Sequence, residues 1–132
     1  MVSIDPWKRL ETKAAGLKSY LLADDPHAHK RAIVHGGLVA GVVGVRSPWL
    51  FGPYLALLAV LPGHQGLGLG TAMLDWLEAQ GKAGEATNLW VCASSFNARA
   101  IAFYQTHGFA TVGTLGDLVK PGFDEIFLRK RL

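Results

Sequence analysis

Between Tyr54 and Glu78 a proline-bounded apolar run, a glycine-dense loop and a helical pattern follow one another without a break. No other stretch restricts the chain as much. The run Tyr54-Leu-Ala-Leu-Leu-Ala-Val60 lies between Pro53 and Pro62 and reads as a strand covered on both faces. Glycines follow at 66, 68 and 70. From about Gly68, Leu69, Met73, Trp76 and Leu77 recur on one side of a helix that Gly81 is expected to stop. Glycine at a strand-to-helix turn lets the main chain approach a ligand, because no Cβ stands in the way. The first turn of a helix leaves its N–H groups unpaired and partly positive. Together these features make a cradle for an anion, most often a phosphate or pyrophosphate.

Several sites use such a cradle. A mononucleotide P-loop needs lysine and then Ser or Thr after the last glycine, whereas Gly70 is followed directly by Thr71. A dinucleotide fingerprint needs an acid at the tip of the next strand, roughly 20 positions on. The next strand candidate, Asn88-Leu-Trp-Val-Cys92, runs into Ala93-Ser94-Ser95. A tight turn that binds nothing stays open on these residues alone.

A second segment narrows the choice. Val60-x-Pro62-x-x-Gln65-x-x-Gly68-x-Gly70 resembles the acyl-CoA pyrophosphate loop of the GNAT superfamily of N-acetyltransferases. Asn97-x-x-Ala100-x-x-x-Tyr104-x-x-x-Gly108-Phe109 resembles that family's second cofactor motif, on a helix ending in Gly-Phe. The two occur in order with a strand between them, and the likeness runs from about Ala32 to the C-terminus.

The resemblance implies an acetyl-CoA-dependent N-acetyltransferase acting on a primary amine of a small molecule or protein, by direct attack in a ternary complex. It implies that main-chain amides from Gln65 to Thr71 (Gly66, Leu67, Gly68 and Gly70 among them) hold the pyrophosphate. It also implies that Leu58, Ala59 and Val60 pair with the pantetheine arm and offer an amide to the thioester oxygen. A donor aimed at charge developing there is worth about 3 kcal/mol. On the second helix Asn97, Ala100, Ile101 and Tyr104 share one face. By resemblance Asn97 holds the pantetheine arm and Tyr104 protonates the departing thiolate; a phenol of pKa ~10 is protonated at neutral pH. The residues by themselves equally allow Phe103-Tyr104 to be the helix's core aromatic pair. The strand Tyr54–Val60 lacks the carboxylate that many relatives use as a base, which leaves Asp117, Asp124, Glu125 or a histidine acting through water. That gap motivates an alternative reading, a non-catalytic acyl-CoA-binding sensor or interaction module.

At 132 residues, the whole of 1–132 is expected to form one domain that buries about two-thirds of its unfolded surface. Half the residues are hydrophobic and 17% charged, which favours a filled core over disorder. The net charge of +3 is matched by Arg129, Lys130 and Arg131 alone. No basic stripe is interleaved with aromatics, so no nucleic-acid partner is expected. Mild positive charge suits a phosphate-bearing co-substrate. Cys92 is the only cysteine, which excludes an intrachain disulfide and reads as core filler. His27 and His29 lack a third ligand and read as surface loop residues, so no metal is expected. The start is not a signal peptide, and the apolar stretches Leu38–Val45 and Tyr54–Leu61 fall short of the ~20 residues that span a bilayer. A cytoplasmic protein without membrane contact is expected.

Along the chain, Asp5-Pro6 starts a helix that carries Trp7, Leu10, Ala14, Leu17 and Leu21 inward and ends at Asp24-Asp25-Pro26. Arg31–His35 and Leu38–Val45 form a hairpin across Gly36-Gly37. The loop from Ser47 to Pro53 presents Trp49 and Phe51 for substrate contact, a subunit interface or packing on the sheet edge. Asn97 caps a helix from Ala98 to His107, and Phe109–Val119 and Phe123–Lys130 close the sheet as a hairpin. The expected fold is α+β: a mixed, mostly antiparallel central sheet flanked by helices, with one parallel pair where the helix from Gly68 crosses over. The resemblance predicts a strand and two helices before the first hairpin, yet only one helix fits. On this shortened N-terminus, part of the acceptor-site wall is missing or comes from another subunit of a homodimer.

Overall fold

Two consecutive glycines at positive φ, Gly36 (60°) and Gly37 (79°), turn the first hairpin, as a two-residue connection matched to strand twist requires. The computed structural model describes residues 22–132. That hairpin joins β1 (Ala28–His35) to β2 (Leu38–Arg46). There follow β3 (Tyr54–Val60), α1 (Leu69–Ala83), β4 (Asn88–Ser94), α2 (Ala98–Thr106), β5 (Ala110–Lys120) and β6 (Phe123–Arg131). The six strands form one sheet in the order β1-β2-β3-β4-β6-β5. Only β3 and β4 run parallel, joined through α1; the other neighbours are antiparallel. This is the expected α+β arrangement. The expected N-terminal helix and the question of the shortened N-terminus lie outside the described residues. Among the described residues no helix is long and apolar enough to cross a membrane.

Alternation along the central strands decides what is core and what faces the site. Leu55, Leu57 and Ala59 of β3 and Leu89, Val91 and Ala93 of β4 are buried, with Leu74 and Leu77 of α1 and Leu128 of β6. The residues between them on β4, Trp90, Cys92 and Ser94, turn to the opposite face.

Three expectations shift. Gly81 does not end α1: the helix runs to Ala83 and is capped at Gly84. A Cβ at Gly81 would stand 3.0 Å from Leu132 Cδ1 and 3.5 Å from Leu89 Cδ2, so glycine there permits close packing on the sheet. Trp76 is 37% exposed rather than buried. The buried line is Leu74, Leu77 and Gly81, and Trp76 lies about 100° round the helix from Leu77. Finally, β1 begins at Ala28, so His29 sits on a strand rather than in a loop, 3.3 Å from Ser47 O through Nε2.

Candidate functional site

β3 and β4 pair through Tyr54↔Trp90 and Leu55↔Val91 only, although each strand is seven residues long. Trp90 N–H donates to Pro53 O at 3.1 Å at the closed corner; beyond it the strands part. On the other side of β3, Gly44 pairs with Leu57 and Val45 with Leu55, so Ala56 is an extra residue, a β-bulge. Past the bulge Leu61 N–H donates to Ala40 O at 2.7 Å. By alternation along that ladder, Leu58 and Val60 turn their main-chain groups away from β2, into the gap. A cleft of about 1020 Å³ opens there.

The arm of the gap that continues β3 leads into the glycine loop. Gly63, Gly66 and Gly68 hold φ of 91°, 78° and 76°, which an L side chain resists. Gly68 is the N-cap of α1 with no side-chain cap, and no acid occupies the first turn. The first intrahelical bond is Ala72 N–H to Gly68 O, 3.0 Å. Amides of Leu69, Gly70 and Thr71 therefore face outward unpaired by the helix, at its positive end. A Cβ at Gly70 would meet the Phe103 ring at 3.1 Å, so this glycine lets α2 close on the start of α1. Gln65 does not reach into the cradle alone: its Nε2 donates to Val60 O at 3.1 Å, tying the loop to the strand end. These unpaired amides, on a backbone that glycine bends without a Cβ, fit the diphosphate of a coenzyme A ester.

The arm that continues β4 leads to α2. Asn97 Oδ1 accepts from Ala100 N–H at 3.1 Å and caps the helix, leaving the side-chain amide to donate elsewhere. Ala100 and Tyr104 follow on the face toward the cleft. Tyr104 is both a packed aromatic and a cleft residue. Its ring packs against Phe103 (5.4 Å between centroids) and Phe109 (5.7 Å), and the residue also lines the cleft. Burial pushes its phenol up to about 12. Of the residues picked out by sequence, Leu58, Val60, Gln65, Gly66, Gly68, Gly70, Thr71, Asn97, Ala100 and Tyr104 line the cleft. Ala59 instead packs into the core at 2% exposure and, as the register partner of Val42, turns its main chain to β2, so the expected contact of Ala59 with the pantetheine arm is closed; Leu67 points outward at 53%, which leaves its main chain to a ligand.

From the closed corner outward along β4 and β6 a polar group assembles that no contiguous motif announced. Tyr54, Cys92, Ser94 and Glu125 all line the cleft, and Ser94 and Glu125 are register partners on β4 and β6. Cys92 is therefore half-buried on the cleft face beside the Tyr54 hydroxyl, not core filler. Burial pushes the Tyr54 phenol, the Cys92 thiol and the Glu125 carboxyl up. Glu125 Oε2 and Ser94 Oγ are buried and neither completes a hydrogen bond. The other acids named as candidate bases are engaged elsewhere. Asp117 Oδ1 accepts from Gly122 N–H at 2.7 Å, and Asp124 Oδ1 from Asp117 N–H at 3.1 Å, both within the β5–β6 hairpin. That hairpin also brings Leu118 and Val119 to the cleft. The signal that could have found them is weak: a break in pairing between Leu115 and Lys120, with Asp117 at φ 55°.

Outside the cleft, Trp49 stacks on Tyr54 at 5.2 Å, packing on the sheet, while Phe51 stays 82% exposed. His27 is exposed, and its N–H donates to Asp25 Oδ1 at 3.0 Å. No group of three potential metal ligands occurs among the described residues.

Comparison with solved structures returns the same architecture repeatedly. A GNAT family acetyltransferase from Elizabethkingia anophelis with acetyl-CoA bound superposes with a TM-score of 0.77 at 17% identity, over 99% of this chain and 87% of that one. The ribosomal-protein-S18-alanine N-acetyltransferase from Escherichia coli gives 0.74 at 23% identity, over 86% and 75%. Nourseothricin acetyltransferase gives 0.70 at 26% identity, over 83% and 68%. No curated protein matches in sequence. The sequence model of the Acetyltransferase (GNAT) family, however, matches residues 3–109, most of the chain and both glycine-loop and second-helix segments. With the parted strands and the unpaired helix start, this match means that the chain belongs to the GNAT family of acetyltransferases.

Proposed function

We propose that this protein transfers the acetyl group of acetyl-CoA to a primary amine of a small molecule or protein, by direct attack in a ternary complex. The observation that carries the reading is the parting of β3 from β4 after two residue pairs, which opens one cleft from the glycine loop to Tyr104. Acetyl-CoA would supply an activated thioester carbonyl. The amides from Gln65 to Thr71 hold the diphosphate, and they suit the task because they are fixed in place and do not titrate. Main-chain groups of Leu58 and Val60 receive the pantetheine arm along β3, with the Asn97 side-chain amide on the other arm. A main-chain donor from this strand polarises the thioester oxygen.

Tyr104 delivers a proton to the departing sulfur. A phenol held near 12 is fully protonated at neutral pH but is a weak acid, so it gives up its proton only as another is returned to it. The natural source is the nitrogen that has just acquired the acetyl group. The names of the fold neighbours span a ribosomal-protein alanine and nourseothricin, so the acceptor is assigned here only as a primary amine.

Calorimetry with coenzyme A, followed by thiol release from acetyl-CoA across a panel of primary amines, tests the reading. Heat on binding plus amine-dependent thiol release is the expected result. No heat overturns the site. Heat without thiol release from any amine leaves the acyl-CoA-binding module instead.

A further inference from the structure

Most amines enter such a cleft as ammonium ions and must lose a proton before the nitrogen can attack. β3 holds no carboxylate to accept it. We infer that Glu125, on the last strand, takes that proton. The inference rests on the acetyltransfer reading above and adds the residue on which its acceptor chemistry turns.

The described titratable side chains lining the cleft are Tyr54, His64, Cys92, Arg99, Tyr104 and Glu125. Burial holds both phenols and the thiol in their protonated forms, so none of these three is an acceptor at neutral pH. Arg99 is a permanent cation. His64 lies within the glycine loop, between Gly63 and Gln65, on the arm assigned to the diphosphate. Glu125 remains. It is 8% exposed, and its Oε2 has no hydrogen-bond partner. A buried, unpaired carboxylate oxygen is costly, and the residue that carries it is one of those lining the cleft, where an incoming N–H donor is the natural complement of a carboxylate. Tyr54, Tyr104 and Glu125 line the same cleft, so the carboxylate and the Tyr104 phenol open on one space.

The groups that face Glu125 are Cys92 of β4 and Tyr54 of β3, with Ser94 alongside. None is a cation. Arg129, two places along the same face of β6, is taken by Asn88 Oδ1 at 2.6 Å and lies over Trp90. Nothing among the described residues therefore pins the carboxylate as a permanent anion, and the upward push of burial makes it a stronger base than a surface glutamate.

In the step itself, one proton passes from the ammonium nitrogen to the Glu125 carboxylate, leaving a neutral amine. The C–N bond then forms as the C–S bond breaks. The surplus proton on nitrogen goes to Tyr104 as the Tyr104 proton goes to sulfur, and Glu125 returns its proton to solvent.

The test compares wild type with Glu125→Gln, using acetyl-CoA and the best acceptor of the primary-amine panel. Glu125→Gln should lower kcat/KM by ~10²–10⁴-fold and abolish the limb of the pH–rate profile that falls toward acid as the carboxylate protonates. Acetyl-CoA affinity by calorimetry should stay within about twofold, which also certifies the fold. Glu125→Asp, which draws the carboxylate back by one methylene, should be slower than wild type yet keep the acid limb. This second variant decides the matter if the first does not fold. Wild-type turnover with both variants matching its rate and profile overturns the role of Glu125 alone. Absence of thiol release from wild type itself overturns the acetyltransfer reading and the inference with it.

Discussion

The two arms of the gap between β3 and β4 are built from different materials. The β3 arm is main chain: the N–H groups of Leu69, Gly70 and Thr71 and the strand edge that Leu58 and Val60 turn from β2, its Val60 carbonyl held by Gln65. The β4 arm and the corner behind it are side chains drawn from three strands and a helix: Tyr54, Cys92, Ser94, Glu125 and Tyr104. Main-chain donors carry no charge to titrate and tolerate any side chain that lets the backbone bend. Side-chain groups are individually replaceable and respond to pH. Binding of the acyl carrier should therefore be insensitive to single side-chain changes, whereas turnover should be highly sensitive to them.

The sharpest test of that division is Tyr104→Phe. If the phenol is the proton donor, kcat falls by about 10²–10⁴-fold while acetyl-CoA affinity is nearly unchanged, because the ring still packs between Phe103 and Phe109. Steady-state kinetics beside calorimetry reads both. Unchanged turnover would reduce Tyr104 to a core aromatic.

Glu125 offers a second break, visible without any substrate. Its folded-state pKa is raised, so the fold favours the neutral acid. The associated stability is complete below the ordinary carboxylate value and is lost as pH rises from there through the raised value. As pH rises through that raised value the wild type acquires a charge that burial opposes. Glu125→Gln removes that titration and should gain stability relative to wild type as pH rises from acid, reaching about 1–3 kcal/mol once the wild-type carboxylate is ionised. Thermal unfolding of both proteins from acid to neutral pH measures it. A variant less stable than wild type at every pH would mean that an unseen partner holds the carboxylate.

The same division explains what could be read before any coordinates. Gly66, Gly68, Gly70 and the proline-bounded strand are contiguous, and their role follows from backbone rules, so the cradle was legible in the sequence. Asn97 and Tyr104 stand out through their resemblance to the family's second cofactor motif, and helical spacing adds only that they share a face. The corner was not. Ser94 and Glu125 are register partners 31 positions apart in sequence, and only the β4–β6 pairing joins them. Among Asp117, Asp124 and Glu125, the sequence gives no sign of which faces the cleft. Strand alternation and the hairpin's own hydrogen bonds make that choice. Cys92 departs from the expected core filler for a related reason: a lone cysteine in an apolar strand suits a core, whereas the parting of β3 and β4 opens its face to the cleft.

A smaller effect is expected at Gly68, the left-handed N-cap of α1 at φ 76°. A Cβ there meets nothing within 4 Å, so Gly68→Ala introduces strain without a clash. Left-handed backbone costs an ordinary residue about 1–2 kcal/mol. Either the loop bears that cost and stability falls, or it relaxes and the first-turn amides move. In the second case the Kd for acetyl-CoA rises about tenfold, with kcat at saturating acetyl-CoA little changed. A fall in kcat with Kd intact would contradict the assignment of this arm to binding.

The smallest effect tests whether the two arms are mechanically independent. Thr71 Oγ1 lies 3.0 Å from His107 Nε2, linking the first turn of α1 to the C-cap of α2. His107 Nδ1 lies 2.8 Å from Phe103 O, a carbonyl that can only accept, so Nδ1 carries the proton. In the neutral ring Nε2 is then the acceptor and the Thr71 hydroxyl donates. Thr71→Val keeps the shape and the main-chain N–H but deletes that donor, at a cost of about 1 kcal/mol. For a chain of this size that is a drop of roughly 3–5 °C in Tm. If the cradle is held by backbone alone, acetyl-CoA affinity survives this change within about twofold. A tenfold loss of affinity would mean that the main-chain site depends on a side-chain strut from α2, and the division between the arms would fail where they touch.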